Sequence, residues 1–380
     1  MKAVFAIDSM KGSLSSIQGG NAAAEGLKRV FPDAEVIIRP LADGGEGTVD
    51  ALVYAMNGKK EVVAVTGPLG ETVDCEYGII DSSHTAVIEM SGAAGLPMVP
   101  REKRNPLNTT TYGVGEVIKD ALEKGCRRFI VGIGGSATND GGIGMLQALG
   151  FGFFDKDGKE VAHAGSGLGE LASISIENAL PVLKECEFRV ACDVNNPLCG
   201  DLGCSAIYGP QKGATPEIVK MMDGWMEKYG ELAKAVIPEA DMNYPGAGAA
   251  GGLGFAFQTF LGAKLESGIS IVLDETDFEQ YLEGADVVVT GEGRMDRQTS
   301  MGKAPAGVAA MAKKYGIPVL GFAGCVTKDA GACNEVGIDA FFPILRGVVT
   351  IEEALDVNNA YGNLADTAEQ AFRLFALGRK

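Results

Sequence analysis

Short apolar runs that end in glycine-rich polar loops and then give way to helical patterns constrain this chain more than any other feature. KAVFAI at residues 2–7 runs into DSMKGS. A helical pattern follows over 15–30, with Gln18 placed three residues after Ser15 for reciprocal capping. EVIIR (35–39) leads to PLADGGEGT and a helical pattern over 49–56. The C-terminal hundred residues repeat the arrangement. DVVVT (286–290) precedes GEGRMDRQTSMGKAP and a helix through Tyr315, and PVLGFAG (318–324) precedes a further helix. A last strand is expected over 339–344 and a terminal helix over 358–377. Strands alternating with helices specify a parallel sheet covered on both faces, so the fold class is α/β.

The middle of the chain breaks this alternation. Residues 67–81, TAVIEM and FGFFDKDGKEV are β-rich with turn signals. A second α/β domain of mixed sheet, inserted into the first, accounts for the interruption. The expected division is 1–75 plus 284–380 for the discontinuous domain and 76–283 for the inserted one.

Ligands of doubly wound sheets collect at the carboxyl ends of the strands, which is where five polar loops fall. DSMKGS places Asp8 at a strand end and Lys11 three residues on. ADGGEGT sets Asp43 and Glu46 in a glycine frame that permits close approach of a ligand. Either carboxylate could orient a hydroxyl or hold a metal, and Glu46 equally suits a helix N-terminus. GIGGSATNDGG follows RRFIVGI and carries Ser136, Thr138, Asn139 and Asp140. It fits neither a Walker loop, since no lysine follows the glycines, nor the dinucleotide spacing, since it reads GxGG. Its hydroxyls and amides suit phosphate or carboxylate oxygens, although a plain strand-to-helix turn could use the same residues.

CDVNNPLCG puts Asp193 at a strand end with Asn195 and Asn196 beyond it. Such a set can hold Mg²⁺ or accept a hydroxyl proton, and it also suits an Asx-turn. Lys212 in GPQKGA reads as a phosphate contact or a surface lysine. The last loop gathers Glu292, Arg294, Asp296, Arg297, Thr299, Ser300 and Lys303 between glycines, a density of mixed charge that points to a polar site. GAGAAGGLGF (246–255) suits close helix packing and ligand approach equally.

Charge narrows the partners. With 33 basic and 50 acidic side chains the net charge is −17, which repels nucleic-acid backbones and anionic membranes at long range. An anionic substrate must then be met by local features such as helix N-termini, selected Lys and Arg, or a metal ion. The N-terminal apolar run is too short for a signal peptide, and no uninterrupted apolar stretch reaches the roughly 18 residues of a membrane span. The eight cysteines are scattered without a CxxC pair, which suits reduced thiols and a cytoplasmic location. With His84 and His163 the only histidines, a His-based mechanism has few places to stand.

Nine motifs in register then identify a resemblance. DSMKGSLSS, ADGGEGT, IEMSGAAGL, NPLNTTTYGVGE, GGSATNDGG, CDVNNPLCG, GPQKGA, GAAGGLGF and GEGRMDRQT closely resemble the bacterial glycerate kinase family, type I or glycerate 2-kinases. The resemblance spans essentially the whole chain. It implies Mg²⁺-dependent transfer of the γ-phosphoryl of ATP to a hydroxyl of D-glycerate, giving 2-phosphoglycerate, in glycolate, glyoxylate and sugar-acid metabolism. It also implies a Rossmann-like parallel-sheet domain formed by both chain ends, a second mixed α/β domain inserted, and an active site in the cleft between them. The implied partners are small molecules; neither nucleic acid nor membrane is expected, and a homo-oligomer is compatible with the chain.

Phosphoryl transfer requires mainly positioning and charge neutralisation. Lys11, Arg294 and Lys303 are the candidate cations. The loop with Ser136, Thr138, Asn139 and Asp140 is the candidate anion cradle. Asp193 is the first candidate for activating the hydroxyl and Asp43 for holding the metal, or the reverse, so the catalytic set is Asp193, Lys11 and Asp43. Asn195, Glu292 and Asp296 follow as substrate contacts. Two other classes stay open: a Rossmann-type oxidoreductase, against which the first strand-helix turn lacks GxGxxG, and a non-catalytic protein that binds a sugar acid.

Overall fold

A computed structural model of the chain describes residues 1–378. Thirteen strands appear in chain order: β1 (Lys2–Ile7), β2 (Glu35–Ile38), β3 (Lys59–Thr66), β4 (Thr72–Ile80), β5 (Thr85–Glu89), β6 (Arg128–Gly132), β7 (Gly152–Phe154), β8 (Ser173–Ser175), β9 (Glu187–Ala191), β10 (Lys264–Glu266), β11 (Val287–Met295), β12 (Val319–Val326) and β13 (Ala340–Pro343). They form a five-stranded sheet, a six-stranded sheet and the small β7–β8 pair.

Contacts divide the chain into two compact units. The first comprises Met1–Asp43, Asp50–Met56 and the chain from Gly268 on; the second comprises Gly44–Val49 and Asn57–Ser267. The fold is thus mixed α/β, with a parallel-sheet unit from both chain ends and a mixed-sheet unit inserted. These limits differ from the divisions at 75/76 and 283/284 expected from sequence. The cause is pairing: β3 runs antiparallel to β4, and β4 antiparallel to β5, so the chain from Asn57 joins the second sheet. At the far end, the helix Gly268–Glu275 already belongs to the first unit.

The first unit carries the order β13-β12-β11-β1-β2, all parallel. Its central strands are near-continuous apolar runs because helices bury both faces: Ala3, Val4, Phe5, Ala6, Val287, Val288 and Val289 are fully buried. The helix Ser16–Lys28 begins with the reciprocal cap expected from sequence, since Ser15 accepts from the Gln18 amide and Gln18 from the Ser15 amide. Its buried Ala22, Ala23 and Leu27 join Phe372 of the terminal helix Val357–Leu377 in the core below the sheet. Burial of a side chain such as Phe372 contributes about 2–3 kcal/mol.

The second unit carries the order β10-β9-β6-β5-β4-β3. Strands β5, β6, β9 and β10 are parallel, and β3 lies at the edge with Lys59, Lys60 and Glu61 exposed or half-buried. Charge on an edge strand opposes pairing with other chains. In register, Glu89, Gly132 and Ala191 end three adjacent strands, so the loops after them share one rim of the sheet. The segment GAGAAGGLGF enters the helix Ala249–Leu261, but Ala250, Gly251 and Gly252 adopt left-handed angles within it.

Candidate active site

In the first unit β1 leads on to β2 in one direction while β11 leads to β12 and β13 in the other. The chain order therefore reverses between β1 and β11, the position at which open α/β sheets bind ligands. Asp8 follows the last residue of β1, and its amide donates to the Gly291 carbonyl at 2.8 Å. Glu292 lies on β11 one residue further. Both carboxylates are buried, at 6% and 7% exposure.

Burial pushes the Asp8 carboxyl up to about 7; the neighbouring charges of Asp43 and Glu292 push the same way, against the Ser9 amide and Lys11. Ser9 donates its amide to Asp8 Oδ1 at 2.7 Å. Burial likewise raises Glu292, opposed first by a hydrogen bond with Thr299 and then by Lys303, 3.9 Å from its Oε2. Glu292 Oε1 and the hydroxyls of Ser9, Ser13 and Thr290 are buried without hydrogen-bond partners. Buried polar atoms that have no internal partner are suited to a polar ligand. Lys11 and Asp43 pair at 3.4 Å, and Arg294 and Asp296 at 3.3 Å, with both cations well exposed. Sequence thus places Lys11, Asp43, Glu292, Arg294, Asp296 and Lys303 in one unit, and the fold adds Asp8, whose signal was its position at the end of the first strand.

In the second unit the loop 132–142 leaves β6. Gly134 and Gly135 are exposed, whereas Ser136, Thr138, Asn139 and Asp140 are buried. Two close approaches explain its glycine content. A Cβ on Gly132 would lie 2.2 Å from the Gly44 carbonyl oxygen, so the backbone at Gly44 packs directly on the end of β6. Gly251, at φ +70°, would place a Cβ 2.1 Å from the Thr138 carbonyl oxygen. GAGAAGGLGF therefore packs against the loop. Gly251→Ala is expected to cost at least about 2 kcal/mol, read as a lower midpoint in thermal unfolding; an unchanged midpoint would refute the packing role.

Asp140 serves the loop itself. Its Oδ2 accepts from the Thr111 amide at 2.8 Å and the Thr111 hydroxyl at 2.7 Å, and its Oδ1 from the Gly142 amide at 3.1 Å. Burial raises its proton affinity and those bonds oppose the rise. Asp140→Ala would strand three buried donors and is expected to destabilise by about 3 kcal/mol, measured by chemical unfolding. Asn139 donates to Ser205 Oγ at 2.9 Å, while its Oδ1 and the Thr138 Oγ1 are buried without partners.

Lys212 is not a surface lysine. It is 2% exposed, and its Nζ donates to Ser136 Oγ at 2.8 Å and to the Thr138 carbonyl at 2.5 Å. Asp193 and Asn195 are exposed two and four residues past β9, on the rim shared with the loop. Asn196 is used locally, accepting from the Tyr208 hydroxyl at 2.6 Å and donating to the Leu202 carbonyl at 2.8 Å. Glu89 accepts from the amides of Gly47 and Val49 at 3.1 and 2.8 Å, holding the loop that carries Glu46.

Among the described residues no group of three or more His, Cys, Asp or Glu is arranged to hold a metal ion. That does not oppose Mg²⁺, which commonly takes one or two carboxylates together with substrate phosphates. The unpartnered Glu292 oxygen and the mutual repulsion of Asp8, Asp43 and Glu292 fit a hard divalent cation.

Polar loops at the carboxyl ends of parallel strands, with buried acids at a switch point, define an α/β protein built to bind small polar ligands. The glycerate kinase family pattern matches residues 3–376. The chain is 47% identical to the glycerate 2-kinase of Escherichia coli K12 over 380 residues, covering 100% of this chain and 99% of that one. It is 48% identical to the glycerate kinase of Bacillus subtilis 168 over 356 residues, 94% of this chain and 93% of that one. A crystal structure of a Salmonella typhimurium LT2 protein given the name glycerate kinase 2 superposes with a TM-score of 0.91 at 46% identity, covering 100% and 99% of the two chains. The chain belongs to the glycerate kinase family, kinases that transfer phosphate to an alcohol group. No helix among the described residues is long and apolar enough to cross a membrane.

Proposed function

We propose that the protein transfers the γ-phosphoryl group of ATP to the 2-hydroxyl of D-glycerate. The observation that carries the chemistry is Asp8, a buried carboxylate with proton affinity near neutrality at the switch point between β1 and β11. A general base works best with a pKa close to the operating pH. In the transfer, the hydroxyl oxygen forms a bond to the γ-phosphorus, the bond from that phosphorus to the β,γ-bridging oxygen breaks, and ADP leaves. The hydroxyl proton passes to Asp8.

Asp193, the first candidate for that proton from sequence, is exposed at its strand tip and is assigned to orient the acceptor hydroxyl, with Asn195 beside it. Lys11, Arg294 and Lys303 supply positive charge to the anionic reactants, and Arg294 offers planar bidentate contact. Asp296 holds Arg294 in place. Ser136, Thr138 and Asn139 line the anion cradle, and Asp140 holds its shape. Asp43 and Glu292 are the groups suited to hold Mg²⁺; bound there, the ion would neutralise phosphate charge.

Incubating the protein with MgATP and D-glycerate and following phosphorus NMR tests the reading. The expected result is ADP and a phosphorus signal coupled to the proton on C2. Coupling to the C3 methylene protons would identify the 3-phosphate and move the reacting hydroxyl. Absence of any new phosphoester would remove the kinase assignment.

A further inference from the structure

We propose that Lys212 is a positioning residue, its ammonium group clamping Ser136 and Thr138 and so setting the shape of the loop 132–142. The proposal rests on the reading that this loop holds a substrate anion.

An ammonium group loses its hydration on burial, and burial without a bonded carboxylate leaves that loss poorly offset. Lys212 is in that position: it ends the short turn Pro210–Lys212, is 2% exposed, and is bonded by a hydroxyl and a carbonyl rather than an acid. If only volume were required, a methionine would fill the space without that penalty. What the ammonium does instead is reach across to one short stretch of the loop. It binds the Ser136 side chain and the Thr138 backbone, two residues apart.

Other pins hold the loop on either side of Ser136, beginning with the Gly135 carbonyl, which accepts from the Leu96 amide at 2.8 Å. Asp140 ties the loop to Thr111, and the Gly141 amide donates to the Gly251 carbonyl at 2.9 Å. Ala137 is fastened through its amide to the Ala94 carbonyl at 2.9 Å. None of these fixes the Ser136 hydroxyl. Beside the clamp, Thr138 Oγ1 and Asn139 Oδ1 remain buried and unpartnered, so the stretch that Lys212 holds is the one with polar atoms still to satisfy.

The titratable groups facing Lys212 are Asp140 from the loop and Cys204 from the helix Cys204–Tyr208. Burial lowers the ammonium to about 8, and the Asp140 carboxylate opposes the fall. The Cys204 thiol is itself pushed up to about 12 by burial and stays neutral at working pH. The clamp is therefore charged below about pH 8 and loosens as pH rises past it.

Hydrogen exchange and steady-state kinetics on Lys212→Met test this. Amides in the peptide spanning 132–142 are expected to exchange at least ten times faster than in the wild type, with β5, β6 and β9 unchanged. The KM for D-glycerate or for MgATP should rise at least tenfold while kcat stays within threefold. Loop exchange equal to the wild type, or kinetic constants all within twofold, overturns the proposal. If Lys212→Met does not fold, Ser136→Ala and the wild type compared at pH 7 and 9, corrected for intrinsic exchange, decide: faster loop exchange in both supports the clamp, and no change in either overturns it. Exchange does not depend on turnover, so a wild type inactive on D-glycerate would end the kinase reading while the loop measurement still judges Lys212.

Discussion

Asp8→Asn is expected to lower kcat about 10³-fold while making the ligand-free protein more stable above pH 7. The first effect follows from removing the proton acceptor, since general-base assistance contributes roughly 10²–10⁴-fold. The second follows from linkage. The Asp8 carboxyl binds its proton more tightly in the folded chain, at about 7, than at its ordinary value of 3.8. Stability from this group is therefore complete below about pH 4, falls as pH rises, and is lost once pH passes about 7. Asparagine has no such titration, so the two proteins should melt alike near pH 4, and the variant should gain up to about 4 kcal/mol by pH 8. Calorimetry on nucleotide-free, chelator-treated protein between pH 4 and 8 reads the difference. A pH-independent difference in melting, or a variant that retains turnover, would remove Asp8 from its assigned role.

Asp193→Asn tests the other sheet rim. Asp193 is exposed past β9, and an exposed side chain contributes little to stability, so the melting temperature should stay within about a degree. Turnover of D-glycerate should nonetheless fall about 10²-fold, because a misoriented acceptor hydroxyl loses the positioning on which phosphoryl transfer depends. Near-normal kcat and KM in a folded variant would take Asp193 off the reacting set. The pair of variants also separates roles: the Asp8 change alters stability with pH, whereas the Asp193 change should not.

The mixed charges of GEGRMDRQTSMGKAP illustrate how far spacing can reach. Their density points to a polar site; in the fold Glu292 and Arg294 lie on the end of β11, paired with Lys303 and Asp296 respectively. Lys212 illustrates where it stops. One lysine in GPQKGA reads the same whether it points to water or into a core, because nothing within a few residues of it sets the difference. Its acceptors, Ser136 and Thr138, are more than seventy residues away. Asp140 is similar: among glycines it looked like a ligand contact, yet its oxygens are occupied by Thr111 and Gly142.

Local order determined much of this protein by itself. Apolar runs of strand length, capped helices and glycine-rich loops at strand ends are written in neighbouring residues, because backbone geometry and side-chain period act over a few positions. Strand order could not be read that way. β1 pairs with β11, Phe5 opposite Val289, across nearly three hundred residues, and only that pairing brings Asp8 beside Glu292. Burial and the fields of distant charges set proton affinities, and both exist only once the chain has closed on itself. The tertiary structure alone therefore decided which of these acids could exchange a proton near neutral pH.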